Sequence, residues 1–190
     1  GWRDTLLNDD GSLKVHPVKF PNGIKPLADY AHSKGLKFGL HTVPGTHDCA
    51  GDAVGAYGLE EIHIQQFIDW GVDFLKVDRC RLYLGCENKK CWNEENIEAT
   101  YRKWRQILAE KQSEILLSVS AYKFRELNSE VCNMSRTTGD ISCRITKGGA
   151  YFTEEDKKER KGHMGSVLGI ADINNNYAKF AKPGYWNDPD

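Results

Sequence analysis

No apolar run in this sequence approaches the ~20 residues that a membrane-spanning helix needs, so no membrane span is expected. An excess of positive charge is lacking too: 26 Lys and Arg stand against 27 Asp and Glu, giving a net charge of -1 and no long basic run. Binding to a nucleic-acid backbone needs a clustered surplus of Lys and Arg, so nucleic acid is excluded as a main partner. Low-complexity segments and credible linkers are missing, and residues 1–190 are therefore expected to form one domain. A signal peptide is absent as well. The first residue is Gly1 rather than Met, so that absence says little about destination.

What is present is the make-up of an ordinary folded domain. Hydrophobic residues at 39% and charged residues at 28% suit a globular chain long enough to bury a core. Six cysteines, at 49, 80, 86, 91, 132 and 143, exceed what a cytosolic enzyme of this size usually carries. Their even number points to disulfides and an oxidising compartment, hence a secreted, periplasmic or lysosomal protein. Their connectivity stays open at this point. A zinc site built on Cys80, Cys86, Cys91 and His47 is the weaker alternative, because only Cys86 and Cys91 approach the close spacing of zinc ligands.

Short apolar runs alternate with amphipathic segments. The pattern predicts a helix from about Gly23 to Ser33, stopped by Gly35, and a strand over Leu36 to Val43. A helix follows from Leu59 to Trp70 with its apolar stripe at 59, 62, 67 and 70, then a strand over Val72 to Val77. A long helix from Glu94 to Lys111 carries Tyr101, Trp104, Ile107 and Leu108 on one stripe, and Ile115 to Val119 is another strand. Part of 157–180 is expected to be helical, and Tyr185-Trp186 to open a final strand. Such alternation implies parallel strands with right-handed crossovers. Polar clusters sit where strands end: His41, Lys76 with Asp78, Ser118 with Ser120, Arg136 with Asp140, and Asn187 with Asp188. A β/α barrel gathers strand ends at one mouth, which favours an α/β (β/α)8 TIM barrel over an open sheet.

The sharpest local feature is Phe74-Leu-Lys-Val-Asp-Arg-Cys80. Asp78 ends an apolar strand, and Lys76, two residues back, points to the same side in a regular strand, where it helps keep the carboxylate ionised. A salt-bridged strand end is the plainer reading of that pair. A second carboxylate, Asp140, lies four residues after Arg136 across a Gly139 turn, although a lone Asp there also suits a helix cap. Two carboxylates at one barrel mouth are what glycosidic hydrolysis uses, one as nucleophile and one as acid and then base. Gly184-Tyr-Trp-Asn-Asp-Pro-Asp190 adds a Trp among hydrogen-bonding groups, a combination suited to a sugar or, more plainly, to a Pro-containing turn.

Taken together and in order, five segments resemble glycoside hydrolase family 27, the α-galactosidase and α-N-acetylgalactosaminidase family. They are Phe20-Pro-Asn-Gly-Ile24 with Leu27 to Gly39, Asp48-Cys-Ala-Gly51, Asp69 to Cys80, Arg136-Thr-Thr-Gly-Asp-Ile141, and Trp186-Asn-Asp-Pro-Asp190. The resemblance implies a β/α barrel, no metal and no organic cofactor. Asp78 would be the nucleophile and Asp140 the acid/base. Lys76, Arg136 and Asp190 would hold sugar hydroxyls, and Cys49 with Cys80 would form the disulfide beside the active site. The implied reaction is retaining hydrolysis of terminal α-galactosyl residues, with galactosides, oligosaccharides or glycoconjugates as substrates and a carboxyl separation of roughly 5–6 Å.

Departures from the family concern specificity. His41 stands where α-galactosidases carry Tyr, and Ser120 replaces their Glu that contacts the 2-hydroxyl; both count as substrate-binding candidates. Ser120 also matches the N-acetylgalactosaminidases, but Lys123 sits where those have a small residue. α-N-Acetylgalactosaminide and β-L-arabinopyranoside hydrolysis are therefore the alternative activities, and a non-catalytic sugar-binding relative is the alternative class. Val119 replaces the usual partner of Cys132, leaving Cys132 either unpaired or joined to Cys143, while Cys86 and Cys91 could close a small loop. Gly1-Trp2 resembles the tail of the family's Asp-Asp-Gly-Trp motif. The first strand and the last part of the barrel are then expected to lie outside this chain, which alone would be unstable or inactive.

Overall fold

The computed structural model describes residues 1–82, 94–121, 124–141 and 167–189. They group into two compact units, Gly1–Val119 and Ser120–Asp190, taken in turn here.

The first unit opens with an antiparallel hairpin of β1 (Arg3–Leu7) and β2 (Leu13–Val15). Its turn closes where Asp10 Oδ1 accepts the Ser12 N–H at 2.9 Å, next to Gly11 at φ +82°. The hairpin is fastened at Leu13, whose N–H donates to Gln66 Oε1 and whose carbonyl accepts from Gln66 Nε2, at 2.8 and 2.9 Å.

α1 (Lys25–Ser33) starts with a proline in its first turn and ends before Gly35, which takes φ +71°. β3 (Gly39–Thr42) is shorter than the sequence pattern implied. Leu36 is exposed, and the Phe38 N–H donates to the Asp73 carboxylate instead. α2 (Glu60–Asp69), β4 (Phe74–Asp78), α3 (Glu94–Glu110) and β5 (Leu116–Ser120) follow. β3 and β4 are parallel, with His41 beside Lys76 and Thr42 beside Val77. β5 lies next to β4, and the Leu116 N–H donates to Asp73 O at 2.8 Å.

The core forms where one face of β4 and β5 meets the helices. Leu75, Val77, Leu117 and Val119 are fully buried, as are Ile64 and Phe67 of α2 and Trp104 and Leu108 of α3. Each such side chain contributes about 1.5–3 kcal/mol by leaving water. The α3 stripe falls as its 3.6-residue period requires. The α2 stripe does not: the buried positions are Glu60, His63, Ile64 and Phe67, while Ile62 is exposed. Two polar residues occupy the inner face because each has a partner there. Glu60 pairs with Lys103 of α3 at 2.9 Å, and His63 Nε2 bonds the Gly11 carbonyl at 3.0 Å. Burial pushes the His63 pKa down and so favours the neutral ring, while the bond to the Gly11 carbonyl acts in the opposite direction.

The second unit holds α4 (Asn128–Val131), β6 (Met134–Arg136), α5 (Val167–Asn175), a 3₁₀ turn at Ala178–Phe180, and β7 (Trp186–Asp188). β6 and β7 run parallel with Ser135 beside Asn187 and Arg136 beside Asp188. Phe124 packs against Tyr177 and Phe180 with ring centres 4.3 and 4.8 Å apart. Helix is found over Val167–Asn175, within the expected 157–180; residues 157–166 lie outside the described residues. Also outside them are Cys86, Cys91, Lys123, Cys143 and Asp190. Cys132 is buried, with its Sγ donating to Asn128 O at 3.0 Å. No described helix is long and apolar enough to cross a membrane.

Candidate active site

In the first unit the chemistry collects at the C-terminal ends of β3 and β4. Along β4, Leu75 and Val77 point into the core while Lys76 and Asp78 share the other, half-buried face, as the two-residue strand period demands. The Arg79 N–H donates to Asp78 Oδ1 at 2.6 Å and fixes the carboxylate's orientation. Asp78 Oδ2 lies 3.6 Å from His41 Nε2, which belongs to the neighbouring strand. That is too long for a hydrogen bond and close enough for a Coulombic pair when the ring is protonated. The His41 side chain is 48% exposed. Its carbonyl accepts the Trp2 indole N–H at 3.0 Å, and Trp2 is held edge-on by Phe67 and Trp70.

Cys49 and Cys80 form a disulfide with Cα atoms 4.9 Å apart, inside the ordinary range for such a bridge. Cys80 is thereby removed from the zinc alternative. The two sulfurs and an Asp78 oxygen all lie within 4.8 Å of one another, but sulfurs spent in a disulfide are no thiolate ligands. The loop bearing Cys49 is shaped by Asp48, whose Oδ1 accepts from the Gly51 and Asp52 N–H groups at 2.8 and 3.1 Å. Burial pushes the Asp48 pKa up, yet these amides and the charge of Arg3 outweigh it and the net shift is down.

In the second unit Arg136 is buried on β6 and its Nη1 donates to Asp140 Oδ1 at 2.5 Å and to Ser120 Oγ at 3.5 Å. Three residues proposed from the sequence thus meet around one guanidinium. Ser120 is fully buried, whereas the Asp140 side chain is 74% exposed. The following turn is braced by Thr137 Oγ1 on Asn174 Oδ1 at 2.9 Å and Thr138 Oγ1 on Pro189 O at 2.6 Å. Beneath it, Ser135 Oγ and Tyr185 O–H share a buried 2.6 Å hydrogen bond.

Sequence reasoning did not find Arg3. It is 7% exposed and donates from Nη1 to Val54 O at 2.6 Å. A single Arg in the short, mostly polar stretch Arg3–Leu7 gives no periodic signal, and its partners lie some fifty residues away.

The family model described as Alpha galactosidase A (Melibiase_2) matches residues 1–190. Alpha-galactosidase 2 of Arabidopsis thaliana is 33% identical over 192 residues, covering 100% of this chain and 41% of that protein. Among solved structures, alpha-galactosidase I of Mortierella vinacea matches with a TM-score of 0.79 at 25% identity, over 100% of this chain and 47% of the other. The α-galactosidase of Saccharomyces cerevisiae with raffinose gives 0.78 at 25% identity, over 100% and 42%. The chain spans about two fifths of the length of the curated relatives it matches. These likenesses make the fold class a TIM barrel, in agreement with the parallel strand–helix alternation. The ordered motifs, the disulfide beside Asp78 and the match along the whole chain lead to one assignment: the chain belongs to the Alpha galactosidase A family, within glycoside hydrolase family 27.

Proposed function

We propose that the protein containing this chain is a retaining exo-glycosidase that releases terminal α-galactosyl residues through a covalent glycosyl-enzyme. The observation that carries this reading is Asp78, held at the C-terminal end of β4 with Lys76 on the same face and one carboxylate oxygen oriented by the Arg79 amide. Barrel enzymes place their catalysts at such strand ends. Asp78 attacks the anomeric carbon while Asp140 gives its proton to the departing oxygen. Asp140 then takes a proton from water, which attacks the same carbon and releases the sugar with its original configuration. Arg136 orients Asp140, and Lys76, His41, Ser120 and Asp190 contact sugar hydroxyls. The scheme uses two carboxylates and calls for no metal or organic cofactor. Retention requires the two carboxyl groups roughly 5–6 Å apart in the full-length protein.

The substrate is a carbohydrate carrying a terminal galactose-like unit; a related yeast α-galactosidase has been solved with raffinose. The Cys49–Cys80 disulfide supports an oxidising destination, secreted, periplasmic or lysosomal. Hydrolysis of an aryl α-galactoside by the full-length protein tests the reading, with Asp78→Asn as control. Turnover that disappears in the variant is expected. Turnover only on aryl α-N-acetylgalactosaminide or β-L-arabinopyranoside would move the specificity to the corresponding relative. No turnover on any of the three would favour a sugar-binding protein.

A further inference from the structure

Arg3 is a buried guanidinium that the proposed chemistry does not use, and it lies at the start of a continuous stack of contacts ending at Asp78. Its Nη1 donates to Val54 O at 2.6 Å, and its charge contributes to lowering the Asp48 pKa. Val54 and Asp48 belong to one loop, closed by a bridge between His47 and Val54 and by the Asp48 N–H on Ala53 O at 2.9 Å. Gly55 is next in that loop. Its N–H donates to Thr46 O at 2.7 Å, and a Cβ placed on it would overlap the Gly45 carbonyl. Gly45 in turn lies so close to the Cys80 carbonyl and the Arg81 backbone that a Cβ there would overlap both. The same loop is bonded covalently to Cys80 through Cys49. One residue before Cys80, the Arg79 amide holds the Asp78 carboxylate.

Backbone packed on backbone through two glycines has no side chain that could yield, so a displacement at Val54 passes on to the Cys80–Arg81 turn. Trp2, adjacent to Arg3, fixes the other flank by donating to the His41 carbonyl. We propose that Arg3 is a positioning residue for the Asp78 carboxylate, acting through the 45–55 loop and the Cys49–Cys80 bridge. This rests on Asp78 being the nucleophile.

The test uses the full-length protein with Arg3→Met, Arg3→Lys and Asp48→Asn. Active sites are titrated with 5-fluoro-α-galactosyl fluoride, which loses fluoride as Asp78 bonds to the anomeric carbon, so that kcat refers to competent sites only. A misplaced nucleophile costs rate: Arg3→Met is expected to lower kcat per titrated site about ten- to hundred-fold. KM should change by less than about threefold, since ground-state contacts to the sugar remain. Arg3→Lys should recover part of the loss, and Asp48→Asn should show a smaller loss of the same kind. In parallel, thiol trapping follows reduction of Cys49–Cys80 by dithiothreitol, expected about tenfold faster in Arg3→Met as the loop opens more readily.

Unchanged kcat per titrated site in both Arg3→Met and Asp48→Asn would overturn the proposal. If Arg3→Met does not fold, Asp48→Asn decides. If the wild type turns over no glycoside, the functional reading fails on its own, and the reduction rates still decide: equal rates in wild type and variants would end the brace.

Discussion

Replacing Asp73 by Asn should weaken the fold in a pH-dependent way whose sign and window follow from its surroundings. Asp73 immediately precedes β4, and its carboxylate takes Lys37 Nζ on one oxygen at 2.7 Å. The other oxygen takes His32 Nε2 at 2.7 Å and the Phe38 N–H at 2.9 Å. Burial by itself would raise the pKa, but the Lys37 hydrogen bond, then the Phe38 amide and His32, bring it down to about 2 from 3.8. A depressed carboxylate contributes stability that is present above its unfolded value, near pH 3.8, and is lost as the pH falls through about 2.

Fully converted, the shift would be worth about 2.5 kcal/mol. Lys37 is 83% exposed, so solvent screening brings the expected contribution to about 1–2 kcal/mol. At pH 6 Asp73→Asn in the full-length protein should therefore melt measurably below wild type. Paired urea titrations from pH 6 down to pH 2, on wild type and variant, measure the difference free of the other carboxylates. The gap should close toward pH 2 and shrink in high salt. A gap that stays constant across that range, or its absence at pH 6, would refute the assignment.

Three further outcomes are expected. Tyr185→Phe should cost about 1–2 kcal/mol at neutral pH, because the buried Ser135 hydroxyl loses its partner. Burial pushes the Tyr185 phenol up to about 12, against the Ser135 hydrogen bond. Stability from that residue is complete below pH 10 and is lost toward pH 12, so alkaline unfolding followed by tyrosinate absorbance should be blunted in the variant. Removing the Cys49–Cys80 bridge, which closes a span of 31 residues, should cost about 3–4 kcal/mol by denaturant titration.

The sequence was most legible where the physics is local and repetitive. The α3 stripe of Tyr101, Trp104, Ile107 and Leu108 is buried as its spacing required, and Lys76 and Asp78 share a strand face for the same kind of reason. The inner face of α2 was misjudged because Glu60 and His63 are buried by partners on other elements, Lys103 and the Gly11 carbonyl. The N-terminal hairpin escaped notice since β1 and β2 are only five and three residues long, too short to show a period. At the candidate site, the residue types were readable but their neighbours were not. His41 beside Lys76 is a matter of strand register, and Asp73 finds its partners 35 to 41 positions away. Ser120 meeting Arg136 likewise depends on how residues sixteen positions apart come together.

The central claim is that Asp78 forms the covalent bond to the sugar. Treating the full-length protein with 5-fluoro-α-galactosyl fluoride, digesting it and mapping the modified peptide by mass spectrometry tests this most directly. One fluorogalactosyl group per chain is expected, esterified to Asp78 and absent from Asp78→Asn. Labelling at Asp140 or another carboxylate, or steady turnover with no covalent adduct and inverted product, would contradict it.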